Sequence, residues 1–157
     1  MALILVTACG YHFPGSGAFP ADIRSIYLDA EPADSPLARA LADALRRDDE
    51  VRLVSSRSQA EGVLVVTGGG LSSSAAAIDT AGVATEYEVT VRADFRLLKP
   101  GREAGEVVSE SQGLETSTTF PSEGTTPTAE EANKRRAGRQ AAEDLARRIL
   151  RSVKSSF

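Results

Sequence analysis

The chain has 157 residues, of which one is cysteine, one is histidine and none is tryptophan. A single cysteine excludes a disulfide within the chain. A structural zinc site built from Cys and His needs about four ligands, and this chain has one of each, which nearly excludes it. A Ser–His or Cys–His catalytic pair would have to use His12. That residue lies three positions after Cys9 in a Gly/Pro-rich segment, where a fixed hydrogen-bonded geometry is not expected. No apolar run reaches the roughly 18 residues of a membrane-crossing helix. Eighteen Lys and Arg stand against 22 Asp and Glu, a net charge of −4, so there is no basic excess for nucleic acid.

What remains is ordinary for a globular domain, with 41% hydrophobic and 25% charged residues. The length suits one domain with a real core and no covalent or metal staples. Nothing calls for a cofactor.

The N-terminus carries the most specific local pattern. Ala2–Val6 reads as the end of a secretory apolar region. Val6-Thr7-Ala8-Cys9 resembles a lipobox, with an aliphatic residue, two small residues and a cysteine whose thiol takes a diacylglycerol. No Lys or Arg precedes Cys9, and the apolar stretch is short, so residues 1–8 are expected to be a truncated lipoprotein signal whose start lies further upstream. The competing reading is an N-terminal strand with Cys9 as a buried thiol. Pro14-Gly15-Ser16-Gly17 and Pro20 favour a flexible tether over residues 9–21. A single α+β domain is then expected over 22–157.

Periodicity places the elements. Ile23–Asp29 reads as a first strand. Ser35 is an N-cap with Pro36 behind it, opening a helix whose stripe is Leu37, Leu41 and Leu45. Val51–Ser55 and Gly62–Thr67 are short strands. Gly68-Gly69-Gly70 and Ser72–Ala77 are expected to be a mobile loop or an exposed hairpin tip. Val83–Leu98 alternates strictly: Val89, Val91, Phe95 and Leu97 point one way, and Glu88, Arg92, Asp94 and Arg96 the other. Lys99-Pro100-Gly101-Arg102 is a turn into a partner strand, Glu106–Leu114. Thr116–Pro127 is expected to be a polar loop. A final helix is expected to start at Thr128, with Glu131 completing a capping box and Ala142, Leu145, Ile149 and Val153 as its stripe. The order β-α-β-β-β-β-α implies a two-layer α+β sandwich. Two helices pack on one face of a mainly antiparallel sheet of four to five strands, and the other face is polar.

Few constellations carry chemistry. Gly68–Gly70 lacks the Lys-Ser/Thr of a phosphate loop. Asp48-Asp49-Glu50 lacks calcium-loop spacing and reads as a helix-ending turn, so no metal site is expected. Lys134, Arg135, Arg136, Arg139, Arg147, Arg148, Arg151 and Lys154 make the last helix basic, which reads first as a solvated face with paired charges. Arg92 and Arg96 share the polar strand face and are candidate contacts for phosphate, with Glu86, Glu88 and Asp94 beside them. No catalytic constellation is present.

Six segments stand in order along the chain: Ala8-Cys9-Gly10-Tyr11-His12-Phe13, Ile26-Tyr27-Leu28-Asp29, Ser35-Pro36-Leu37-Ala38-Arg39, Ala84-Thr85-Glu86-Tyr87-Glu88-Val89, Lys99-Pro100-Gly101-Arg102, and the closing helix with Leu145 and Ile149-Leu150. As an ordered set they resemble the lipopolysaccharide-assembly lipoprotein family LptE. The resemblance implies a non-enzymatic protein that is lipid-anchored through Cys9 on the periplasmic face of the outer membrane. It implies a heterodimer with the β-barrel LptD, which such proteins plug and help to assemble, and a role in delivering lipopolysaccharide to the outer leaflet. In the family, basic residues in the loop before the long strand are implicated in contacting lipid A phosphates. Here no Lys or Arg lies between Arg57 and Arg92. An alternative is a periplasmic lipoprotein that binds glycolipid on its own.

Overall fold

The structure is a computed structural model that describes residues 17–101, 105–122 and 126–156. Its elements are β1 (Ser25–Glu31), α1 (Pro36–Arg46), β2 (Arg52–Val54), a 3-10 turn (Arg57–Gln59), β3 (Gly62–Ile78), β4 (Ala84–Lys99), β5 (Glu106–Pro121) and α2 (Pro127–Ser155). The expected order holds. The five strands form one sheet in the order β2-β1-β3-β4-β5. The sheet is mixed: β1 runs parallel to both β2 and β3, while the long β3-β4-β5 part is antiparallel. The parallel pairs follow from connections that return the chain to its starting end, through α1 and then through the 3-10 turn.

Both helices cover the same face. Ile26, Leu64, Val66, Val91, Phe95 and Leu97 from the sheet meet Leu37, Leu41 and Leu45 from α1 and Ala142, Leu145, Ile149 and Val153 from α2. Each of these is almost fully buried, which at about 1.5–3 kcal/mol per large side chain makes this layer the main source of stability. A smaller cluster of Val89, Phe120 and Ala137, with Tyr87 stacked on Phe120 at 5.7 Å, closes the far end. Phe19 is also 6% exposed, so the packed body takes in a residue of the segment expected to be a tether.

Three expectations need correction. Gly68–Ala77 is neither a loop nor a hairpin tip. β3 continues through it to Ile78, paired with β4 along its length, with a bulge between Gly68 and Leu71. Gly68 and Gly69 have φ of +103° and +82°, and a side chain on Gly69 would stand 2.9 Å from Leu37 Cβ. The glycines therefore bend the strand under the start of α1. Second, Thr116–Pro121 is strand, not loop: β5 pairs with β4 as far as Pro121↔Glu86. Third, α2 starts two residues early. Thr126 is the N-cap, its hydroxyl accepting from Ala129 N at 3.3 Å, and Pro127 takes the first helical position. At α1 the expected cap is present, with Ser35 Oγ accepting from Ala38 N at 3.1 Å.

The open sheet face and the ends of the helices

Register places the residues that point away from the helices in cross-strand rows. One row is apolar: Tyr27, Val63, Leu98 and Val107. The next holds Asp29, Val65, Arg96 and Glu110, followed by Glu31, Thr67 and Asp94, and then Arg92 and Glu115. Beyond these the face is set with hydroxyls, Ser72, Thr90 and Ser117, then Ser74 and Thr119 around Glu88. A face of this composition is stable in water and has no large apolar area to hide. At the β2 end the chain crosses its own sheet. Ser25 Oγ donates to Gln59 O and accepts from Glu61 N, and Arg57 pairs with Asp29 at 3.4 Å.

Both candidate phosphate contacts lie on this face. Arg92 directs Nε and Nη2 at one oxygen of Glu115, at 3.1 and 2.6 Å. That pair is largely exposed, so it contributes at most about 1 kcal/mol. Arg96 is exposed and makes no ion pair among the described residues. Four strand residues separate the two by roughly 13 Å. Asp94 stands between them and accepts from Gly113 N at 2.6 Å. The two guanidinium groups are therefore not a clamp for a single phosphate. Cys9 and His12 lie outside the described residues.

The acidic run after α1 has a partner that its sequence did not disclose. Lys154, near the end of α2, places Nζ 2.8 Å from Asp48 Oδ2 and 3.2 Å from Glu50 Oε2. The same ammonium sits 5.0 Å from the centre of the Phe19 ring, and Glu50 Oε2 accepts from Phe19 N at 3.1 Å. Burial works against the charged ammonium, but hydrogen bonds to the two carboxylates outweigh it and raise its pKa above the usual 10.5. A second tie, Lys99 with Asp22, holds the same N-terminal segment to the end of β4. Lys99 is partly and Asp22 largely exposed, and their hydrogen bond raises the lysine pKa and lowers that of the aspartate.

The basic face of α2 is partly paired, as the sequence suggested. Arg135 pairs with Glu131 at 3.6 Å. Arg147 pairs with Asp144, and Arg148 donates to the Glu115 carbonyl at 3.1 Å, tying α2 to the edge strand. Between α1 and α2 lies a groove of about 390 Å³ walled by Pro36, Arg39, Ala40, Asp43, Arg135, Arg139 and Glu143, with Leu71 of β3 in its lining. The sequence held one signal for it: Gly138, inside a helix, where glycine commonly marks a close approach. A side chain there would stand 2.9 Å from Leu71 Cδ1.

Among the described residues no three of His, Cys, Asp and Glu gather as metal ligands, and no helix is long and apolar enough to cross a membrane.

Comparison with known proteins gives one consistent direction. Rare lipoprotein B of Shewanella oneidensis superposes with a TM-score of 0.65 at 21% identity, over 82% of this chain and 92% of that one. A lipoprotein B of Nitrosomonas europaea gives 0.67 at 18% identity, over 92% and 90%. At these identities the likeness establishes the fold alone. The LPS-assembly lipoprotein LptE of Pectobacterium atrosepticum is 26% identical over 104 residues, 66% of this chain and 56% of that protein, so the match spans little more than half of the relative. The family model for LptE, described as lipopolysaccharide-assembly, matches residues 23–153, from the strand before α1 to the last turns of α2, and on that evidence the chain belongs to the LptE family.

Proposed function

We propose that this protein is the lipid-anchored plug and assembly partner of an LptD-type outer-membrane β-barrel, and that it supports delivery of lipopolysaccharide to the outer leaflet. As a member of its family it is an assembly protein and not an enzyme. The observation that carries the plug reading is the open sheet face. Both helices sit on one side, and the other presents charged and hydroxyl side chains across β3, β4 and β5. A barrel lumen is polar and wet, and such a face suits it without leaving a large apolar area against water. The anchor in this reading is Cys9, which would hold the plug on the periplasmic side beside its barrel. Stable attachment needs more than one acyl chain, since a single chain is marginal at about 0.8 kcal/mol per buried methylene.

Depletion of the chain in cells tests the assembly role. The barrel is expected to accumulate in a form that migrates as unfolded without heating. A barrel that folds normally without the chain contradicts the proposal.

The second reading, a lipoprotein that binds glycolipid alone, is favoured only by the exposed Arg96 and Arg92. It requires saturable, salt-sensitive binding of lipopolysaccharide to the isolated domain, weakened by Arg92→Glu and Arg96→Glu. Unchanged binding in both variants removes it.

A further inference from the structure

We infer that the groove between α1 and α2 receives an extended acidic segment of the barrel partner, which pairs along the free edge of β3 and sets an apolar side chain on Leu71. The identity of that partner rests on the plug reading above; the chemistry of the occupant rests on the groove.

Three features converge there. The first is an exposed leucine held in place. Leu71 keeps 42% of its surface accessible, yet its methyls lie against Gly138, so it cannot fold away from solvent without α2 moving. The second is charge. Arg39 comes from α1, and Arg135 and Arg139 from successive turns of α2. Of the two carboxylates in the walls, Asp43 is engaged by Arg46 at 2.8 Å. Arg39 donates only to a backbone carbonyl, that of Asp34, at 2.7 Å, and Arg139 makes no ion pair among the described residues. Glu143, the other wall carboxylate, makes no ion pair among the described residues, so the two free guanidinium groups leave the groove with a net positive charge to recognise carboxylates, in a chain whose net charge is −4.

The third feature is a strand edge. β1 pairs with β3 only as far as Glu31↔Thr67, while β3 runs on to Ile78. From Gly68 onward no described strand occupies the side of β3 away from β4. An extended segment added there gains backbone hydrogen bonds, and pockets for alternate side chains give it specificity. Leu71 supplies the apolar contact, and Arg39 and Arg139 supply the charged ones. A volume of about 390 Å³ is close to the lower limit of small-ligand pockets. It holds one or two side chains and not the several acyl chains of a glycolipid.

The test is photo-crosslinking in cells that carry the full-length chain and its barrel. A benzophenone amino acid replaces Asp43 at the groove wall. The expected adduct is with the barrel, and mass mapping should place it in a segment with at least two carboxylates. Arg39→Glu with Arg139→Glu should lower the yield about tenfold or more. Changing the mapped carboxylates to Lys should restore it, while circular dichroism shows both variants folded. An adduct with lipopolysaccharide, with a second copy of this chain or with a segment lacking carboxylates overturns the inference. So does no adduct, or a yield that the charge reversal leaves unchanged. Wild-type chain that co-purifies with the barrel but gives no groove adduct defeats this inference alone. Failure to co-purify defeats the plug reading itself.

Discussion

Lys154 Nζ lies 2.8 Å from the Asp48 carboxylate and so joins the last turn of α2 to the turn that ends α1. Phe19 covers the same ammonium, and its backbone N–H binds Glu50, the second carboxylate of the site. One cation thus gathers both helix ends and the N-terminal segment.

Replacing this cation should be felt at neutral pH. Lys154→Met removes both ion pairs and the contact with the Phe19 ring, and leaves two carboxylates facing each other. The expected loss is about 1–2 kcal/mol, or some 2–8 °C in Tm for a chain of this size. The lysine pKa is raised on folding, so its contribution is fully present below the usual lysine value and is lost as pH rises through the raised one. Thermal melts should therefore show a constant gap between wild type and variant from pH 7 to 9. The gap should close as pH climbs beyond about 10.5. A gap that persists there contradicts the clamp.

The glycines of β3 should not be equivalent. Gly69 has φ +82° and meets Leu37, whereas Gly70 has open space around its added Cβ. Gly69→Ala should cost about 1–3 kcal/mol, and Gly70→Ala should be nearly neutral. Urea denaturation of the two variants distinguishes them. Equal effects would mean that the bulge under α1 is wrongly described.

The start of α2 can be read from two threonines. Thr126→Ala should cost about 1 kcal/mol through loss of the cap to Ala129, while Thr128→Ala, inside the helix, should cost less or stabilise. The reverse order would restore the later start that the sequence alone suggests.

Gly138 and Leu71 should show coupling. Gly138→Ala gains about 1 kcal/mol of helix propensity, but it pushes on the Leu71 methyls. Alone it should be close to neutral. In a Leu71→Ala background it should stabilise by about 1 kcal/mol, and a double-mutant cycle measures the difference. Strict additivity would mean that Leu71 is free of α2.

Much of the fold was legible where a physical period was present. The alternation in β4, the Leu37-Leu41-Leu45 stripe and the Ser35 cap identify their elements almost to the residue. β3 beyond Thr67 has no such period. Gly68–Gly70 carries the marks of a chain break, and Ser72–Ala77 has too little apolar surface to declare a strand. What makes it one is pairing with β4, a tertiary effect that overrides local preference. In β5, Thr116, Thr118 and Phe120 do alternate toward α2, but Pro121 and Gly124 just beyond them read as loop. The open face was legible because its charges fall on alternate β4 positions. The groove was not, because its walls come from two helices far apart in the chain and Leu71 in its lining from a third element, β3.

Purifying the lipidated, tagged chain from detergent-solubilised outer membranes and measuring the mass of what elutes tests whether it plugs a barrel. A plug elutes as a stable one-to-one complex with a β-barrel, large enough to enclose this domain and resistant to high salt. Elution as a free monomer under the same conditions would contradict the plug reading.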